Sequence, residues 1–159
     1  MNQDNVKASI DSIETFGLVD GPGIRVVVFF NGCKLRCKYC HNPDTWEMNA
    51  GTLMDASEII ANYERNKPFY RDGGITVTGG EPLMQPEFVR EVFALCKQNG
   101  VNTCLDTSGC VLNEQVKGLL EATDRVLLDF KYTNDADYRE NVGMEMEKAE
   151  EFLAYLARR

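Results

Sequence analysis

The sequence predicts an α/β fold of about four strand–helix units in a single domain spanning residues 1–159. Three observations carry that expectation. Short apolar runs alternate with segments of helical periodicity, turn residues separate them, and no repeat, low-complexity stretch or composition shift divides the chain. A domain of this length can bury roughly 70% of the surface its unfolded form exposes. Right-handed crossovers assemble such units into a parallel sheet or a barrel.

The elements follow in order. Residues 10–15 read as a short edge strand, and Asp20-Gly21-Pro22-Gly23 supplies a turn before the apolar run 24–30, a buried strand. Residues 55–65 carry Ile59, Ile60 and Tyr63 at helical spacing, and 75–78 form a strand that ends in Gly79-Gly80. In residues 86–98, Phe88, Val89, Val92, Phe93 and Cys96 make one helical face, with Gly100 as its stop and 101–105 as the next strand. Asn113 caps a helix through Glu121 with Val116, Leu119 and Leu120 inward, and 125–128 is again a strand. Residues 135–159 are mostly helical with a break at Gly143.

Ligands in such folds sit at the carboxyl ends of the strands. Here those ends carry the cysteine segment, then Gly79-Gly80-Glu81, Asp106-Thr107-Ser108 and Asp129-Phe130-Lys131, so polar and metal-binding residues converge on one rim.

Charge and composition exclude other classes. The net charge is −8, from 17 Lys and Arg against 25 Asp and Glu, with no basic block, which argues against a nucleic-acid partner. Acidic residues gather late, from Asp135 to Glu151, and read as a solvated helix face. Residues 1–9 lack an apolar signal segment and no run is long enough to cross a bilayer, so no membrane partner is expected and the location expected is the cytoplasm. Six cysteines there favour metal ligation or free thiols over disulfides.

Cys33-Lys-Leu-Arg-Cys37-Lys-Tyr-Cys40-His41 packs three thiols into eight positions, so one loop can wrap one metal centre. A four-iron cluster held by three cysteines keeps one iron open to an outside ligand. Two alternatives compete. Adding His41 gives a Cys3His zinc set, although adjacent Cys40 and His41 are too close for ordinary zinc spacing. A redox dithiol at Cys37 and Cys40 would leave Cys33 without a role. Cys96, Cys104 and Cys110 have no ligand spacing and read as small buried apolar residues. Trp46, the only tryptophan, is expected to pack the loop after the cysteines.

The Cys33-x3-Cys37-x2-Cys40 spacing after the first buried strand resembles the radical S-adenosylmethionine superfamily. Thr78-Gly79-Gly80-Glu81 resembles that family's glycine-rich segment, and Tyr39 its aromatic residue before the last cysteine. Val19 to Arg25, Asn31-Gly32-Cys33, Tyr39 to Trp46 and Thr103 to Thr107 are similar to the activases of glycyl-radical enzymes, of the pyruvate formate-lyase activating type.

That resemblance implies a partial (β/α) barrel and an oxidoreductase of anaerobic metabolism. It implies a 4Fe-4S cluster on Cys33, Cys37 and Cys40, with S-adenosyl-L-methionine held by Tyr39, Cys40, His41, Gly79, Gly80, Glu81, Asp129, Phe130 and Lys131. A monovalent cation is implied at Asp106, Thr107 and Asp129. The implied reaction is reductive cleavage of the cofactor to make a glycyl radical on pyruvate formate-lyase, with flavodoxin as electron donor. The activase of anaerobic ribonucleotide reductase is a second activase reading, and a zinc-stabilised binding module without catalysis is the reading from another class. The family's barrel has more strands than are read here, and a later cofactor-touching histidine has no counterpart, since His41 is the only histidine. The chain is therefore expected to be truncated at its carboxyl end, the N-terminal two-thirds of the family's domain.

Overall fold

The structure, a computed structural model, describes residues 6–159. One six-stranded sheet runs in the order β3-β1-β2-β4-β5-β6. Its parallel part is β2 (Arg25–Phe30), β4 (Gly74–Gly79), β5 (Asn102–Thr107) and β6 (Arg125–Leu128), each followed by helix before the next parallel strand or the end of the chain. The helices are α1 (Ala56–Arg65), α2 (Pro86–Gln98), α3 (Glu114–Glu121), α4 (Asp135–Asn141) and α5 (Met146–Leu156). Four strand–helix units are therefore present, as the alternating pattern predicts.

The amino-terminal edge differs from the sequence reading. β1 spans Lys7–Gly17 rather than 10–15, and it is not an edge. Its outer side pairs antiparallel with β3 (Thr52–Asp55), a strand the sequence does not announce because four residues with only Leu53 and Met54 apolar carry no period. β1 itself pairs antiparallel with β2, so the sheet is mixed.

The core follows from residue choice. β2 reads as an apolar run, as buried parallel strands do, and Gly74 to Val77 of β4 are buried on both faces although Thr76 stands between Ile75 and Val77. Phe88, Val89, Val92, Phe93 and Cys96 of α2 are 0–2% exposed against them, joined by Ile59 of α1 and by Val116, Leu119 and Leu120 of α3. Asp55 sits outside α1 as its cap, accepting from the Glu58 N–H while the Glu58 carboxylate accepts from the Asp55 N–H. Asn113 and Asn134 cap α3 and α4 through their side chains. Gly143, at φ +78, divides the last helical stretch into α4 and α5.

Arg25 closes the floor at the amino ends of the parallel strands. Fully buried, it donates to the Thr76 hydroxyl at 2.7 Å, to the Pro22 carbonyl at 2.8 Å and to the Asn102 side chain at 2.9 Å, with burial pulling its guanidinium below its ordinary range. It thereby ties the Gly21-Pro22-Gly23 turn to β4 and β5. No helix among the described residues is long and apolar enough to cross a membrane.

Candidate cluster and cofactor site

The strand register builds the rim. Phe30 of β2 faces Gly79 of β4, Val77 faces Leu105 one turn of pleat below, and Thr107 of β5 faces Leu128 of β6. The residues that follow these positions therefore emerge at one level. They enclose a cavity of about 280 Å³ lined by Cys33, Cys37, Tyr39, Cys40 and His41 from the cysteine loop, Thr78 to Glu81 after β4, Asp106, Thr107 and Ser108 from β5, and Asp129 and Lys131 after β6. That is near the lower end of small-molecule pockets, roughly 300–1,000 Å³.

The cysteine loop is fixed from several sides. The Gly32 N–H donates to the Thr45 carbonyl at 2.8 Å and the Cys33 N–H to the Trp46 carbonyl at 3.2 Å, closing the loop on the short 3-10 turn Pro43–Trp46. Farther along, the Arg36 and Lys38 N–H groups each donate at 2.9 Å to the carbonyls of Val142 and Asn141. Leu35 and Cys37 pack with Tyr138, Val142, Met144 and Ala149 in a second apolar cluster, so α4 and α5 form the loop's outer wall. Trp46 does pack the loop, its ring 4.8 Å from the Arg36 guanidinium, and it also lines the cavity.

Gly79 and Gly80 are required by the protein itself. Gly79 has φ +105, and a Cβ there would lie 2.3 Å from the Phe30 nitrogen. A Cβ on Gly80 would lie 2.6 Å from the Gly32 carbonyl oxygen. The turn after β4 is thus pressed against the base of the cysteine loop. Glu81 then folds inward, where its carboxylate accepts four hydrogen bonds, from Leu83, Thr107 and both donors of Ser108.

Electrostatics differ around the cavity. Burial pushes the Cys33 thiol up to about 11 and raises the Cys37 thiol as well. A desolvated thiol gives up its proton when a metal centre supplies positive charge, so this donor set fits an iron–sulfur cluster. Among the described residues, no group of three or more His, Cys, Asp or Glu is gathered to hold a single metal ion.

Lys131 makes an ion pair with Asp129 at the mouth. Burial alone would lower its ammonium, but the Asp129 partner carries it above its ordinary value, with Cys37 and Tyr39 adding to the effect. Burial raises the Asp106 carboxyl, which accepts from the Thr78 hydroxyl at 2.8 Å. Tyr39, 44% exposed, meets Tyr132 edge-on at 5.8 Å beside the mouth.

The sequence-derived residues therefore converge, with two departures. Phe130 is not among the cavity-lining residues; it packs against the second apolar cluster, because alternation turns it away from its neighbours Asp129 and Lys131. Glu81 lines the cavity, but its carboxylate is spent on protein donors. Thr78 and Ser108 stand in the quoted rim motifs and line the cavity, although residue type alone gives them no role. Cys96 and Cys104 are fully buried and Cys110 is 8% exposed. All six cysteines are free.

Known proteins match this arrangement. The pyruvate formate-lyase-activating enzyme of Clostridium pasteurianum is 47% identical over 150 residues, covering 93% of this chain and 63% of that protein. The pyruvate formate-lyase 1-activating enzyme of Escherichia coli strain K12 is 43% identical over 157 residues, covering 96% of this chain and 64% of that protein. The chain thus spans just under two thirds of the length of these relatives. Streptococcus suis SuiB, solved bound to its precursor peptide SuiA, shares the fold with a TM-score of 0.67 at 16% identity, over 90% of this chain and 31% of that one. A model of the Radical SAM superfamily matches residues 27–159, the stretch that carries the cysteine loop and all four parallel-strand ends, and the chain belongs to that superfamily.

Proposed function

We propose that this chain carries the radical-generating site of a glycyl-radical enzyme activase in the cytoplasm. Residues 1–159 make up one partial-barrel domain, and pyruvate formate-lyase is the partner. One observation carries the reading: three cysteines of the superfamily spacing, a glycine turn and a lysine–carboxylate pair line one cavity at the carboxyl ends of parallel strands. The 43–47% identity to pyruvate formate-lyase activating enzymes supports the choice of partner.

Cys33, Cys37 and Cys40 hold a 4Fe-4S cluster, and Tyr39, His41, Gly79, Gly80, Asp129 and Lys131 surround S-adenosylmethionine. When bound, the cluster and S-adenosylmethionine would supply one-electron reductive cleavage of the cofactor, with the electron from a flavodoxin-type donor, and removal of a hydrogen atom from a partner glycine, releasing methionine and 5′-deoxyadenosine. The protein's own part is orientation and shielding. Lys131 places a cation beside Cys37 where a cofactor carboxylate can dock, and Asp129 holds that ammonium at the mouth. Leu35, Trp46 and Tyr39 line the walls and limit water. Asp106, Thr107 and Asp129 offer oxygens to a monovalent cation.

The test is anaerobic reconstitution with iron and sulfide, then reduction with dithionite and S-adenosylmethionine. Cluster absorbance, release of 5′-deoxyadenosine and methionine, and a glycyl-radical signal in pyruvate formate-lyase are expected. Uptake of zinc without iron and sulfide would sink the proposal. A radical formed in anaerobic ribonucleotide reductase but not in the lyase would reassign the partner. Replacing Cys33, Cys37 or Cys40 with Ala should each abolish loading of four irons, and a full cluster in any of these variants removes that residue from the ligand set.

A further inference from the structure

Glu81 is 2% exposed, and its carboxylate is encircled. Oε1 accepts from the Leu83 N–H at 3.1 Å and the Thr107 hydroxyl at 2.6 Å, while Oε2 accepts from the Ser108 N–H at 3.0 Å and the Ser108 hydroxyl at 2.5 Å. Its own N–H donates at 2.9 Å to the carbonyl of Gly32, the residue before Cys33. A single residue thus joins the base of the cysteine loop, the turn after β4 and the turn after β5.

Two consequences follow from this arrangement. A carboxylate offers about four lone-pair sites, and four donors already occupy them, so none remains for the ammonium of a bound cofactor. Every one of those donors is neutral, and Glu81 takes part in none of the ion pairs among the described residues. Hydrogen bonds from neutral groups stabilise a buried anion without cancelling its charge. That charge stays in the cavity Glu81 shares with Cys33, Cys37 and Cys40.

We infer that Glu81 is a positioning residue rather than a cofactor ligand: it ties the turns after β4 and β5 to the cysteine loop and, as a buried anion without a cationic partner, lowers the reduction potential of a cluster held by Cys33, Cys37 and Cys40. The inference rests on the cluster reading proposed above. Adding an electron beside a fixed negative charge is less favourable than adding it beside a neutral group, and a carboxylate as buried as Glu81 is poorly screened by solvent. The hydroxyls of Thr107 and Ser108 moderate the charge, because each donor draws electron density from the carboxylate.

Two substitutions move the potential in opposite directions. Glu81→Gln keeps the side-chain shape and removes the charge, whereas Ser108→Ala keeps the charge and removes one donor. Parent and both variants are loaded anaerobically with ferrous iron and sulfide, assayed for iron and sulfide, and titrated with the reduced-cluster spin signal as the readout. The midpoint potential is expected to rise in Glu81→Gln and to fall in Ser108→Ala. A loop merely loosened by either change would shift both in the same direction. Potentials equal to the parent's, or shifts of the same sign, overturn the inference while the cluster reading stands. Should Glu81→Gln fail to load, Ser108→Ala decides alone: its potential falls or the inference fails. A parent that takes up no iron and sulfide overturns the cluster reading and this inference together.

Discussion

The slab between the sheet and helices α1 to α3 is held by apolar side chains such as Val77, Phe88, Phe93 and Leu119, all 0–2% exposed. The cavity at the carboxyl ends of the strands is held differently. There the chain is fixed by backbone bonds between loops, by the Glu81 carboxylate, and by α4 and α5 brought more than a hundred residues along the chain to cover the cysteine loop. The first region gains its stability from a large area removed from water, the second its shape from directional bonds between loops together with a smaller apolar cluster under the cysteine loop. Stability and site geometry should therefore respond separately to mutation.

The largest separation is expected from Phe93→Ala. Deleting a fully buried ring should destabilise the fold by about 3–5 kcal/mol in urea unfolding, while folded protein still takes up iron and sulfide. Loss of loading in the folded variant would break the distinction between the two regions. Tyr138→Phe probes the other side, because its hydroxyl accepts from the Lys131 N–H at 2.9 Å. The cost expected is about 1–2 kcal/mol, with weakened binding of S-adenosylmethionine to the loaded protein as Lys131 shifts. Unchanged affinity would show that α4 does not help place Lys131.

Thiol chemistry sharpens the contrast without changing stability. Cys96 is fully buried and its thiol is pushed up to about 12 by burial, so alkylation at pH 8 should wait for unfolding. Cys40, partly exposed at the cavity, should react in the native protein free of iron, as read by mass spectrometry of the labelled peptides. The smallest effect concerns the outer wall. Asp135 is held below its ordinary value by Arg139 and by the Met146 N–H, a bond that joins α4 to α5. A depressed carboxyl stabilises above its unfolded value and loses that contribution as pH falls through the folded one. The joint should therefore loosen only in acid, seen as faster amide exchange at Met146 below about pH 4 than in Asp135→Asn corrected for its own baseline.

Much of the site was legible because its chemistry is local in sequence. The three thiols share one loop, and the residues after β4, β5 and β6 needed only the alternation of strand and helix to be carried to one rim. For Phe130 and Glu81 the sequence placed the residue at the rim but not its side chain, for a common reason. Neither the direction of a side chain just past a strand nor the donors that meet it can be read from spacing. β3 was missed because its order comes from pairing with β1 rather than from its own pattern.

The residues alone determined the α/β alternation, the helix cap at Asn113, the helical break at Gly143 and the cluster-type cysteine spacing, since each follows from local period, turn chemistry or ligand spacing. Tertiary structure alone decided that α4 and α5 wall the cysteine loop, that Gly80 must lack a side chain to close on Gly32, and that Glu81 faces four protein donors. Those outcomes depend on distances between segments far apart in the chain, which are set only when the sheet register and the packing of its helices are in place.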